Sequence, residues 1–419
     1  MKVEVSATLR ANEVLADRKL KGLSVLPMAF GQAGLPVHPL LRRKLSDASI
    51  HNGYGAVAGN LEIRTAAAGY WSRRGLLTDP SNVVCGPGSK PLLYALLLSI
   101  GGDVVIPVPS WVSYAVQAKI IGARPILVPT IPGQGGVPDP DLLTNAVNKS
   151  RSRGRKVKSI IVTLPDNPTG TLAGSETIKK LCRVARELDL LIISDEIYRD
   201  LVFDESEEFV SPADIAPERT IITSGLSKNL ALGGWRIGFT RLPDNPTGHE
   251  LLSQLKGIAS EIWSSTAVPV QHVAAYALDE PAELIERIEA SKKLHSKVAY
   301  AVTSSFRAVG AKVNTPQAAF YIYPNLESWR DLFESKFSIT TGTGLAKYLL
   351  DEYGLGILPG SDFGEPLESL KFRVATSQLY GDSSEQLEFA LSSSDPLSLP
   401  WIQDNIENLD QVLSNFIVN

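Results

Sequence analysis

Ser-Lys-Asn-Leu-Ala-Leu-Gly-Gly-Trp-Arg-Ile-Gly, residues 227–238, places Lys228 in a turn of small residues and Arg236 in a segment that ends as a strand. A lysine held among Ser, Gly and Leu is partly desolvated, which lowers the pKa of its amine and makes it a nucleophile toward aldehydes. The guanidinium of Arg236 offers a planar fork of donors suited to a phosphate. A ligand that joins an aldehyde to a phosphate answers both residues. The plainer reading of the same letters is a glycine-containing loop with two surface charges, so the flanking sequence has to decide between them.

Outward from this stretch, residues 60–240 alternate short apolar runs with helical patterns. Strands are expected at 82–85, 103–107, 124–128, 159–164, 190–194, 220–223 and 236–240, with helices at 91–100, 111–121 and 175–188. Runs that are apolar on both sides and separated by helices imply an α/β fold, a mostly parallel sheet of about seven strands covered on both faces. In such sheets ligands gather at the carboxyl ends of the strands. A long amphipathic helix at 281–309 then leads to β-like runs at 319–323, 356–358 and 372–376 and a helical pattern near 343–353, a smaller α+β domain. The division expected is a large, cofactor-binding domain at 46–299 and a small domain built from both chain ends, 1–45 and 300–419. The run at 124–128 leads into a Gly/Pro-rich connection.

The chain of 419 residues is 44% apolar and 21% charged with a formal charge of −4. That balance gives no field favouring nucleic acid, and the basic run at 149–158 reads as a solvated connector. Cys85 and Cys182 look like small buried hydrophobes and not a disulfide framework. No apolar leader opens the chain and the longest apolar run, 91–100, is too short to cross a bilayer, so a cytoplasmic protein without a membrane partner is expected.

The strand ends carry the chemistry. Cys-Gly-Pro-Gly-Ser-Lys-Pro, 85–91, joins a strand to a helix: Gly88 lets backbone approach a ligand, Ser89 suits an N-cap, and free N–H groups at the helix start attract an anion. Trp111 follows the next strand, either stacking on a flat heteroaromatic ring or filling the core under the helix. Leu-Pro-Asp-Asn-Pro-Thr-Gly, 164–170, closes a buried strand and presents Asn167 as a donor; its copy at 244–248 reads as a surface turn. Asp195, in Ile-Ile-Ser-Asp-Glu-Ile-Tyr, ends another apolar strand, where a carboxylate is costly unless it meets a cation. A protonated pyridine nitrogen is such a cation, with Tyr198 three residues on to reach a phenolic oxygen. Glu196 belongs to a structural hydrogen-bond network.

Taken in order, the Gly-rich turn, Trp111, Asn167-Pro-Thr-Gly, Asp195-Glu-Ile-Tyr, Ser227-Lys228 and Arg236 resemble the class I/II aminotransferases, fold-type-I enzymes that depend on pyridoxal 5'-phosphate. The likeness runs from Asn52-Gly-Tyr-Gly to Phe372-Arg-Val-Ala-Thr. It implies that Lys228 is the Schiff-base lysine and proton carrier, Arg236 the phosphate arginine, and Asp195 the pyridine partner. It further implies Asn167 and Tyr198 at the phenolate oxygen, Trp111 on the ring, and Gly88, Ser89, Lys90 and Ser227 about the phosphate. Arg373 resembles the arginine that takes the substrate α-carboxylate, with Gly31 in the substrate-gating segment. Tyr54 matches a tyrosine that reaches the neighbouring subunit's phosphate, which implies a homodimer with composite sites. The activity implied is ping-pong exchange of an amino group between an L-amino acid and a 2-oxo acid, with no metal.

Departures from the pattern accompany the likeness. A hydroxyl residue common three positions before the lysine is replaced by Gly225, with Ser224 or Ser227 as substitutes. No arginine stands in Ser260-Glu-Ile-Trp-Ser-Ser-Thr, which tilts the expected substrate from aspartate toward a neutral, aromatic or otherwise specialised amino acid. A lyase, a cyclopropane-forming synthase or an oxidase would keep the same cofactor residues, and a non-catalytic ligand sensor is the remaining alternative.

Overall fold

The structure is a computed structural model describing residues 4–204 and 206–418. Thirteen strands are present among the described residues, β1 to β13 in chain order. Eight form the main sheet: Val83–Gly86 (β2), Asp103–Val108 (β3), Pro125–Ile131 (β4), Gln134–Pro138 (β5), Val157–Thr163 (β6), Leu191–Asp195 (β7), Thr220–Gly225 (β8) and Gly238–Arg241 (β9). Their spatial order is β2-β9-β8-β7-β6-β3-β4-β5. The five from β8 to β4 run parallel, whereas β9 is antiparallel to both β8 and β2. Ile160, Ile161, Ile192, Ile193, Ile221 and Ile222 are fully buried, as two helix-covered faces require.

The sheet has one strand more than expected. The Gly/Pro-rich connection contains β5, antiparallel to β4 at the edge. Gly136 lies at φ +80°, and a side chain there would meet the Thr163 carbonyl. The glycine that disguises this segment as a loop is what lets the edge strand's backbone lie against the end of β6, which is not its neighbour in the sheet. The second Asp-Asn-Pro-Thr-Gly copy is also more than a turn: Asn245 caps the helix Pro246–Ile262, accepting from the Gly248 N–H at 2.9 Å.

The small sheets come from the chain ends. Tyr321–Ile322 (β10), Leu358–Pro359 (β12) and Phe372–Ala375 (β13) form one, and Leu26–Pro27 (β1) pairs parallel with Leu355–Gly356 (β11). The helix Ala282–Ala308 joins the layers, packing Leu284 with Trp71 and Phe239 near its start and Val298, Val302 and Phe306 with Phe372 further on. Strand order reverses between β6 and β3, so a crevice opens at the carboxyl ends of the central strands. No described helix is long and apolar enough to cross a membrane.

Candidate active site

A cavity of about 570 Å³ occupies that crevice. The strands deliver its residues in turn: β3 leads to Trp111, β6 to Asn167, β7 ends in Asp195, and β8 leads to Ser227 and Lys228. The small sheet adds Arg373 from β13 and the N-terminal segment adds Gly31. Residues far apart in sequence are thus brought to one void.

Lys228 Nζ donates to the Gly31 carbonyl at 2.6 Å and lies 5.8 Å from the centre of the Tyr198 ring. Burial, and then the charge of Arg373, push its pKa down to about 7, with Asp195 opposing. The amine is therefore neutral in a sizeable fraction of molecules near neutrality, the state needed for nucleophilic attack.

Asp195 is buried. Its Oδ2 accepts from the Tyr114 hydroxyl at 2.8 Å, while Oδ1 has no partner within the protein. Burial holds its pKa up at about 6, opposed by the Tyr114 hydrogen bond. A carboxylate with one free buried oxygen awaits a donor, and the protonated nitrogen of a pyridine ring satisfies that demand.

Arg373 is 1% exposed; it donates from Nη1 to Asn167 Oδ1 at 3.1 Å and from Nη2 to the Ala29 carbonyl at 2.5 Å. Its Nε is buried without a partner, so part of the fork is left for a ligand carboxylate. Asn167 Nδ2 lies 3.4 Å from the Tyr198 hydroxyl, which is 2.8 Å from that of Tyr321.

At the other side, the helix Ser89–Ile100 begins one residue earlier than the capping pattern suggests, with Gly88 and not Ser89 at the N-cap. Gly88, at φ +94°, precedes it, and no side chain caps its first turn. Its N–H groups are open to an anion. A side chain at Gly88 would run into the Arg236 guanidinium, and one at Gly238 would meet the Ser89 nitrogen at 2.5 Å, so both glycines are needed for this approach. Arg236 is exposed, in the left-handed region at φ +54°, with Nη1 donating to the Gly233 carbonyl at 2.8 Å. Lys90 Nζ lies 4.9 Å from the centre of the half-buried Trp111 ring.

Ser227 lines the cavity, whereas Ser224 is buried away from it beside the Glu196 carbonyl. Gly225 pairs with Gly238 across β8 and β9, and a Cβ there would stand 2.9 Å from the Ile237 carbonyl oxygen. Glu196 is held by Ser194, Ser211 and Arg199, a closed network beneath the site. Tyr54 does not join the cavity of its own chain: it is 96% exposed. Tyr114, Thr163, Tyr321, Phe30 and the helix residues Thr8 and Leu9 also line the void. The sequence reading missed them; only Tyr114, three residues beyond Trp111 on the same helical turn, carried any local signal.

This fold and the polar groups around its crevice define an enzyme built to hold pyridoxal phosphate. Residues 30–381 match the class I and II aminotransferases, and the chain belongs to that family. It is 28% identical to an aspartate aminotransferase of Bacillus sp. strain YM-2 over 385 residues, 89% of this chain and 92% of that one. It is 29% identical to the Bacillus subtilis aspartate aminotransferase over 387 residues, with the same coverage. The solved structure of aspartate aminotransferase from Thermus thermophilus with maleate superposes with a TM-score of 0.82 at 25% identity, covering 98% of this chain and 97% of that one. The protein is a pyridoxal-phosphate-dependent aminotransferase acting on amino and 2-oxo acids.

Proposed function

We propose that Lys228 both anchors the cofactor and carries the substrate proton, in a ping-pong exchange run by a homodimer. The observation that supports this most is a half-buried amine with a pKa pushed down to about 7 in one cavity with the half-partnered Asp195 and Arg373. When bound, pyridoxal phosphate supplies an electron sink that acidifies the substrate Cα–H. The Arg373 fork grips the α-carboxylate and so fixes which bond at Cα is presented to Lys228. The Lys228 amine would take the proton from the substrate Cα and would carry it within the cavity for the return step. With the cofactor bound, Asp195 would hold the ring nitrogen protonated, Asn167 and Tyr198 would serve the phenolic oxygen, and Trp111 would cover the ring face. The Gly88-Ser89 turn, Lys90, Ser227 and Arg236 surround the phosphate. Tyr54, pointing into solvent, serves the site of a second copy. The division into domains at 46–299 and at 1–45 with 300–419 belongs to the same reading.

The amino donor in this reading is neutral or aromatic, supported by Leu9, Phe30 and Ile197 on the cavity wall and by the lack of arginine in 260–266. An acidic donor is the second reading. It is supported by the names of the relatives and by Lys90, a cation in the cavity. A panel of single-turnover assays tests both. Each donor is added to cofactor-loaded enzyme and the conversion of its absorbance to the pyridoxamine form is timed. Aspartate reacting faster than phenylalanine by tenfold or more would reverse the preference, and no conversion with any amino acid would sink the assigned roles.

A further inference from the structure

We infer that Tyr114 is a positioning residue that fixes the orientation of Asp195, holding one carboxylate oxygen so that the other stays free for the cofactor ring. The inference rests on the reading of Asp195 as the ring-nitrogen partner.

The geometry comes from three elements. Thr163 at the end of β6 and Asp195 at the end of β7 are direct register partners, so their side chains leave the same face of the sheet. The helix Ser113–Ile120 lays Tyr114 over both: its hydroxyl is 2.8 Å from Thr163 Oγ1 and 2.8 Å from Asp195 Oδ2. A phenol has one hydrogen to give, and an ionised carboxylate can only accept. The Tyr114 hydrogen therefore goes to Asp195, and the Thr163 hydroxyl donates to Tyr114. The ring has no freedom to leave, being fully buried among Leu92, Ile106 and Ile161. The terminal torsion of an aspartate is broad and roughly two-fold, so a carboxylate without such an anchor turns easily. Tyr114 is the side-chain donor to this carboxylate, and it is spent on Oδ2, leaving Oδ1 buried and open.

Binding of two ligands by the cofactor-stripped, full-length protein tests this without turnover. One is pyridoxal phosphate; the other is its analogue with a carbon in place of the ring nitrogen, which gives Asp195 nothing to receive. Tyr114→Phe keeps the ring and removes the hydroxyl. The expected result is about a tenfold rise in the Kd of pyridoxal phosphate, with a change of less than about twofold for the analogue. A role confined to packing weakens both ligands alike, and no effect on either leaves Asp195 indifferent to Tyr114; each result overturns the inference. Thr163→Val, which leaves the ring packing intact and loosens only the hydroxyl, is expected to show a smaller selective loss and carries the test should Tyr114→Phe fail to fold. Failure of the wild-type protein to prefer pyridoxal phosphate over the analogue would instead overturn the role of Asp195 itself.

Discussion

The Lys228 amine is hydrogen-bonded to the main-chain carbonyl of Gly31, 197 residues away in sequence. A carbonyl accepts without adding a formal charge, so the contact aims the amine into the cavity and leaves its low pKa to burial and Arg373. The N-terminal segment thereby sits directly over the reactive group.

On the proposed reading, Lys228→Ala loses the cofactor's anchor and the proton carrier together. Amino transfer is expected to fall by at least about 10⁴-fold. Steady-state rates check this, alongside loss of the absorbance band of the lysine-bound cofactor. Added methylamine is expected to restore part of the proton-transfer rate.

The low pKa of Lys228 also links stability to pH in the cofactor-free protein. Its folded value, about 7, lies below the ordinary 10.5, so between those limits the unfolded chain binds the extra proton. Stability from this group therefore rises as pH increases from 7 to 10.5 and is lowest below 7. Lys228→Met should abolish a rise on the order of 1–3 kcal/mol, the half-buried side chain keeping part of its solvation. Denaturant melts of both proteins at pH 6.5 and 9.5 give the comparison.

Arg373→Lys keeps the charge and loses the fork. KM for the amino donor is expected to rise by about 10- to 100-fold with a smaller loss in kcat, the pattern of a ground-state binding contact. An equal fall in kcat and kcat/KM would place its action in the transition state alone.

If Tyr54 works on a partner's site, Tyr54→Ala and Lys228→Ala proteins are each poor enzymes, but mixed dimers regain one site with both residues intact. Co-refolding an equal mixture is expected to restore about a quarter of wild-type activity. Activity no higher than the mean of the parents would assign Tyr54 no role across the interface.

Gly225→Ser would place a hydroxyl three positions before Lys228, yet its Cβ would press on the Ile237 carbonyl at 2.9 Å. A loss of about 1–3 kcal/mol in stability is expected, without tighter phosphate binding. Gly238→Ala, which would drive a methyl against the Gly88-Ser89 turn, is expected to abolish cofactor binding. Thermal melts and cofactor titration read out both.

Much of the site was legible because the motifs are local. Asn167, Asp195 and Lys228 each stand just after or at the end of an apolar strand, and burial pattern alone exposes such positions. Tyr321 and Thr8 were illegible for the opposite reason: nothing beside them in sequence distinguishes them, and they reach the cavity only because the chain ends fold back over the large sheet. The edge strand β5 was hidden by its own glycines, which signal a loop locally and serve as room for Thr163 globally.

The sequence by itself determined the mostly parallel sheet and the order of the motifs, and it named Lys228, Asp195, Arg236 and Arg373 as candidates, because strand ends and turn residues are set by neighbours a few positions away. Only the tertiary structure decided that Ser227 and not Ser224 faces the cavity, that Gly225 is closed to a side chain, and that Asp195 keeps one oxygen free. Those facts depend on how strands register and how a helix such as Ser113–Ile120 lies across them, contacts between residues that the linear chain keeps far apart.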